Sequence, residues 1–131
     1  MIKVVCAIVE QYERVLVTQR SKKMREALLW EFPGGKLEQN ETEGNCLIRE
    51  IQEELGIEVE PYQRLTPAMY AYPDLSIELI PFLCKYKGGV IQLQEHRTYH
   101  WVKPEDLKTY QFCPADVPIL EEYLQLIRGR P

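Results

Sequence analysis

Three glutamates within five residues, Glu50, Glu53 and Glu54, are the densest cluster of potential chemistry in the sequence. On a helix that advances about 100° per residue they share one face. Like charges so placed repel, and an exposed Glu50/Glu54 pair at i,i+4 costs a few tenths of a kcal/mol by itself. Arg49 relieves part of this by reaching Glu53 at i+4, and an ordinary Glu-rich helix would simply leave such a face to solvent. Upstream, however, stands Phe32-Pro33-Gly34-Gly35, and glycine lets backbone approach a ligand closely. A hard cation with oxygen ligands converts the mutual repulsion into binding energy. Mg²⁺ suits the pattern, because it takes one or two carboxylates and completes its shell with water and phosphate oxygens.

The elements that must carry these residues follow from periodicity. Glu43–Leu55 has helical spacing, with Leu47, Ile48, Ile51 and Leu55 on a core-facing side and Gly56 as its C-terminal cap. Lys3–Val9 and Val15–Gln19 are β-rich and flank the polar Glu10–Arg14, which predicts a hairpin. Ser21–Glu26 reads as a charged loop. Leu28–Phe32 is apolar and runs into Pro33-Gly34-Gly35, a breaker of regular structure. Strands are expected at Ile57–Val59, about Arg64–Tyr72, Ser76–Tyr86 and Val90–Val102, with a turn at Lys87-Gly88-Gly89. Pro104–Leu107 predicts a short helical turn, and Pro114 precedes an amphipathic helix over about Ala115–Ile127. Strands on both sides of one helix, with a second helix at the end, predict an α/β (α+β) domain over residues 1–131, a mixed β-sheet sandwiched between helices.

Composition limits the partners. The 131 residues carry a net charge of −4, with 45% hydrophobic and 27% charged residues. That is globular composition without the basic footprint of a duplex nucleic-acid or anionic-membrane binder. An acidic enzyme acting on polyphosphates needs cations to mediate the contact. Cys6, Cys46, Cys84 and Cys113 form no CxxC pair, which argues against zinc and for small core hydrophobes. No stretch reaches the ~20 apolar residues of a membrane span, and the first residues lack a signal peptide's apolar region. A cytoplasmic protein with reduced thiols is expected.

Gly35, five residues, Glu41, seven residues, Arg49-Glu50-Ile51, one residue, Glu53-Glu54, one residue, Gly56-Ile57: this run resembles the complete Nudix box, with no departure at a specified position. It covers 23 of the 131 residues. Val17-Thr18-Gln19-Arg20, Trp30-Glu31-Phe32-Pro33-Gly34-Gly35 and Pro114-Ala115-Asp116-Val117-Pro118-Ile119-Leu120 extend the likeness to MutT-type nucleoside triphosphate pyrophosphatases, and among them to bacterial CTP pyrophosphohydrolases.

The resemblance implies a Nudix fold and a Mg²⁺-dependent cut of a nucleoside triphosphate to monophosphate and pyrophosphate, with Mn²⁺ able to substitute. It implies that Gly34, Glu50, Glu53 and Glu54 hold the metal and that Arg49 orients one of the glutamates. Glu41 either caps the helix or serves a second ion. Water attacks a phosphorus, and Glu53, or failing it Glu95, accepts the proton. His96 and His100 are expected to be structural. Arg20, Arg25 and Lys36 face the phosphates, Glu31 and Phe32 line the nucleotide cleft, and Asp116 reads the base. Readers of 8-oxoguanine carry an amide where Asp116 stands. An ionised carboxylate only accepts hydrogen bonds and therefore matches an exocyclic amine such as cytosine N4, whereas a protonated Asp116 would donate as the amide does. Tyr70, Tyr72 and Phe82 are candidates to stack on the base or to fill the core. The implied role is sanitation of the nucleotide pool, preventive to DNA repair, by a monomer or homodimer.

Two other readings compete. Pro73, sixteen residues beyond Ile57, resembles a marker of ADP-ribose and nucleotide-sugar pyrophosphatases, although turns use proline freely. A non-catalytic nucleotide-binding module of the same family would be expected to have lost box carboxylates, and all are present.

Overall fold

The computed structural model describes Met1–Pro131. Its elements are β1 (Ile2–Gln11), β2 (Arg14–Gln19), β3 (Trp30–Glu31), β4 (Gly34–Lys36), α1 (Glu43–Leu55), β5 (Glu58–Arg64), β6 (Ala68–Ala71), β7 (Ser76–Gly88), β8 (Thr98–Val102) and α2 (Val117–Arg128), with 3₁₀ turns at Pro104–Thr109 and Pro114–Asp116.

β1 organises the sheet. It pairs parallel with β7 from Ile2/Ile77 to Glu10/Lys85 and antiparallel with β2 and β4. The remaining pairings are antiparallel: β2 with β3 and β8, and β7 with β5 and β6. Side chains alternate across a strand, so each face of β1 builds its own core. Val5, Ala7 and Val9 meet Cys46, Leu47, Ile51 and Leu55 of α1, whereas Cys6 and Ile8 join the cluster of Ile119, Leu120 and Tyr123 of α2. The mixed sheet between helices is therefore as expected, and β1 is apolar over a continuous run because it is covered on both sides.

α1 keeps its predicted limits. Thr42 accepts a hydrogen bond from the Asn45 amide at 3.1 Å, and Gly56 closes the helix at φ 70° with its N–H on the Gln52 carbonyl. Ile48 does not join the core. It is exposed, and Cys46 fills that position one turn ahead of Glu50.

Four predicted element boundaries change. Pro33-Gly34-Gly35 does not break the structure: Gly34–Lys36 is β4, laid on Val4–Cys6. Closeness selects the glycine, since a Cβ on Gly34 would stand 1.8 Å from the Val5 carbonyl oxygen. Arg64–Tyr72 is not one strand but the end of β5 and all of β6, separated by Leu65–Pro67. Of Val90–Val102 only Thr98–Val102 pairs, and the first eight residues form an irregular segment. Ala115 lies in a 3₁₀ turn, and α2 begins at Val117. All four cysteines are free and buried. No helix is long and apolar enough to cross a membrane.

Candidate active site

Arg49 gathers the acidic side chains at the start and middle of α1. Its Nη2 donates to Glu41 Oε1 at 2.8 Å and its Nε to Glu41 Oε2 at 3.1 Å. Its Nη1 donates to Glu50 Oε1 at 3.0 Å and to Glu53 Oε2 at 3.2 Å. Glu41 also accepts the Glu38 amide at 2.9 Å, and Thr42 rather than Glu41 caps the helix. Glu50 lies tight against β4, where a Cβ on Gly35 would come within 2.1 Å of Glu50 Oε2. The glycine that opens the box is thus the space that Glu50 occupies. Glu53 remains largely exposed.

A cavity of about 330 Å³ opens beside this helix. Arg20, Arg25, Glu31, Phe32, Gly34, Lys36, Glu54 and Asp116 all line it, so eight residues predicted from four separate segments come together. Glu41, Arg49, Glu50, Glu53 and Glu95 stand outside that lining. A larger hollow of about 590 Å³ lies among Glu10, Arg14, Lys103 and Arg130, and no predicted site residue lines it. Of the aromatics, Tyr72 lines the cavity with the Arg25 guanidinium 4.7 Å above its ring. Tyr70 packs edge-on against Tyr72, and Phe82 belongs to the core beneath α1.

Polar contacts brace the walls. Glu31 accepts from Arg20 Nη1 at 2.7 Å through Oε1 and meets His96 Nε2 at 2.7 Å through Oε2. Arg20 Nε donates to the Arg25 carbonyl at 2.5 Å, and Arg25 Nη2 bonds Asp74 Oδ2 at 2.6 Å. Sequence reasoning missed Asp74 and the bond between Glu31 and His96. Their partners lie 49 and 65 residues away, and no spacing rule signals such pairs. His100 bonds Tyr110 at 2.8 Å and packs on Trp30, a structural place as expected.

Two carboxyls depart from ordinary acidity. Burial, reinforced by the charges of Glu50, Glu31 and Glu95, pushes Glu54 up to about 7 against the opposing influence of His96. Burial and then Glu31 push Asp116 well above its usual range, although its Oδ2 accepts the Phe32 amide at 2.9 Å. The side chain favours the neutral acid, which donates as well as accepts.

The donor set fits a hard divalent cation. Every candidate ligand is an oxygen, and Glu54 is a crowded carboxyl whose acidity a cation would restore. No three His, Cys, Asp or Glu side chains converge closely enough to close a shell by themselves, and Arg49 bonds both Glu50 and Glu53. That matches an ion held by few carboxylates with water and phosphate completing the shell better than it matches a closed protein cage.

The chain matches the NUDIX domain over residues 1–123. It is 37% identical over 131 residues to the CTP pyrophosphohydrolase of Escherichia coli (strain K12), covering 100% of this chain and 97% of that protein. It is 31% identical over 124 residues to the 8-oxo-dGTP diphosphatase of Buchnera aphidicola subsp. Schizaphis graminum (strain Sg), covering 95% and 94%. The solution structure of the E. coli ORF135 protein superposes with a TM-score of 0.86 at 36% identity, over 100% of this chain and 94% of that one. With the box glutamates on α1, the glycines of β4 beneath them and these likenesses spanning the chain, the protein belongs to the Nudix family of hydrolases.

Proposed function

We propose that this Nudix hydrolase, one domain over residues 1–131, cleaves nucleoside triphosphates with a cytosine-type or oxidised base to the monophosphate and pyrophosphate, as a cytoplasmic sanitiser of the nucleotide pool. The observation that carries the reading is the single cavity shared by Glu54, the cations Arg20, Arg25 and Lys36, and the buried Asp116. The names of its relatives, a CTP pyrophosphohydrolase and 8-oxo-dGTP diphosphatases, support the same substrate class.

Each part of the cavity has a task in this reading. Arg20, fixed by Glu31 and the Arg25 carbonyl, presents a planar fork to phosphate oxygens. Arg25 and Lys36 add charge at the wall. Phe32 and Tyr72 offer apolar surface to the base, and Asp116 reads its polar edge. Glu50, Glu53 and Glu54, with the Gly34 carbonyl, would hold Mg²⁺, or Mn²⁺ in its place, and Arg49 aligns the first two. When bound, the cation would neutralise charge on the polyphosphate and lower the pKa of a water. Water attacks the β-phosphorus, the bond from that phosphorus to the bridging oxygen breaks, and the oxygen leaves with the monophosphate. Glu53 was the first candidate to take the water's proton. It is engaged by Arg49, whereas Glu95 carries no hydrogen bond or ion pair of its own and its charge reaches Glu54. We therefore assign the proton to Glu95.

The test is product analysis with Mg²⁺ over CTP, dCTP, 5-methyl-dCTP, dGTP, 8-oxo-dGTP and ADP-ribose in ¹⁸O-labelled water. Label in pyrophosphate from a cytosine or 8-oxo substrate is expected. Faster turnover of ADP-ribose than of any triphosphate would replace this reading with the nucleotide-sugar one, and turnover of none would leave a binding module.

A further inference from the structure

Between β7 and β8 the chain runs through Gly89–Arg97 without regular structure, directly beside the cavity. Its attachment is sparse. The Gln92 amide donates to the Leu55 carbonyl and the Arg97 amide to the Gln19 carbonyl, both at 2.9 Å. Ile91 and Leu93 rest partly on the core beneath α1. From Gln94 to Arg97 the one buried side chain is His96, with 3% of its side chain exposed. It turns away from the core to Glu31 on the cavity wall, donating from Nε2 at 2.7 Å. A carboxylate already paired with Arg20 can only accept, so Nε2 carries the proton. His96 Nδ1 is buried without any partner. Its side-chain hydrogen bond is the one to Glu31.

That bond determines where the next residue stands. Glu95 precedes His96 in the irregular stretch, is exposed, and makes no contact that would fix its carboxylate. Its charge acts on Glu54, and the two backbone ties and the His96 anchor set the course of the stretch that carries it. We propose that His96 is a positioning residue, which docks on Glu31 to hold the 92–97 segment at the cavity and so keeps the Glu95 carboxylate at the Glu54 side of the site. The inference rests on the reading above in taking Glu95 as the proton acceptor. Because Glu31 also braces Arg20, the phosphate-facing guanidinium and the proton-accepting segment share one anchor.

The experiment uses the full chain and has two arms. Without substrate, amide exchange of residues 92–97 is compared in wild type, H96A and H96Q. Exchange in H96A should quicken by at least about tenfold, since local opening is limited by few contacts. H96Q, whose amide nitrogen reaches close to the imidazole Nε2 position, should restore protection. With substrate, H96A should lower kcat by about ten- to a hundredfold with KM nearly unchanged, the signature of a misplaced reacting group. On an E95Q background the same change should cost less than about twofold, because its effect runs through Glu95. Unchanged exchange in H96A, or an undiminished loss on the E95Q background, overturns the proposal. If the wild type hydrolyses no triphosphate, the functional reading fails and the exchange arm still decides whether His96 fastens the segment. Should H96A not fold, H96N replaces it, being polar but too short to reach Glu31.

Discussion

At the scale of single residues, chemistry here is a matter of how each carboxyl is partnered. Glu41, beside the Arg49 guanidinium and the Glu38 amide, is held down to about 2 and stays charged. Glu54, half-buried among like charges, is pushed up to about 7 and waits for a counter-charge. Glu54→Gln keeps the shape and removes the charge, so kcat should fall at least about a hundredfold with the thermal midpoint kept or raised. Near-wild-type turnover by the folded variant would remove Glu54 from the cation site. Asp116 extends the logic to the base. Its folded pKa is raised, so its contribution to stability is fully present in acid and is lost as pH rises from the unfolded value through the folded one. Asp116→Asn should therefore gain in melting temperature relative to wild type between pH 4 and pH 8. As pH rises through the folded value, ionisation removes a donor from the wild-type site. The ratio of kcat/KM for dCTP to that for 8-oxo-dGTP should rise with pH in wild type and stay flat in the variant. A flat wild-type ratio would mean that Asp116 only holds the Phe32 amide.

At the scale of elements, α1 was readable because the apolar stripe and the αL glycine agree on its extent, although the cap falls to Thr42 and not to Glu41. Its burial was less readable. Periodicity alone put Ile48 inside, but the sheet beneath α1 accepts a stripe centred on Leu47, Ile51 and Leu55, and Cys46 borders it instead. Ile51→Ala should cost about 2–5 kcal/mol in urea denaturation, while Ile48→Ala should stay within roughly 0.5 kcal/mol. Equal losses would contradict this helix orientation. β4 and the 90–97 segment were misread for one physical reason. Their conformations are set by what they lie against, and pattern within a segment carries no information about its partner. Gly34 and Gly35 signalled close approach, but whether to a ligand, to Val5 or to Glu50 only the fold decides. The same limit holds in the site: the motif residues were legible, whereas the bonds from Glu31 to His96 and from Arg25 to Asp74 were not.

At the scale of the whole molecule, one buried strand holds the two cores apart and presents a charge where it leaves them. Glu10, near the end of β1, accepts Tyr123 of α2 and Arg130 at 2.7 Å each, and Tyr62 of β5 through its other oxygen. Three parts of the chain far apart in sequence thus meet on one carboxylate, well away from the cavity that holds Glu54. Burial alone would raise the Glu10 pKa, but Arg130, Tyr62 and Tyr123 outweigh it and hold the group below its ordinary value. A depressed carboxylate contributes stability that is fully present above its unfolded pKa and lost as pH falls through its folded one. Glu10→Gln retains an acceptor and a similar volume while removing the charge. It should lower stability by about 1 kcal/mol at pH 7, a modest figure because Arg130 is partly solvated. The deficit should be smaller at pH 3 than at pH 7, because protonation of wild-type Glu10 in acid removes the charge that the variant lacks, and kcat at pH 7 should not change. Urea midpoints at both pH values decide the matter. A deficit of the same size at pH 3 would show that Glu10 acts by packing and not by charge, and a fall in kcat would show that the end of β1 communicates with the cavity through the sheet.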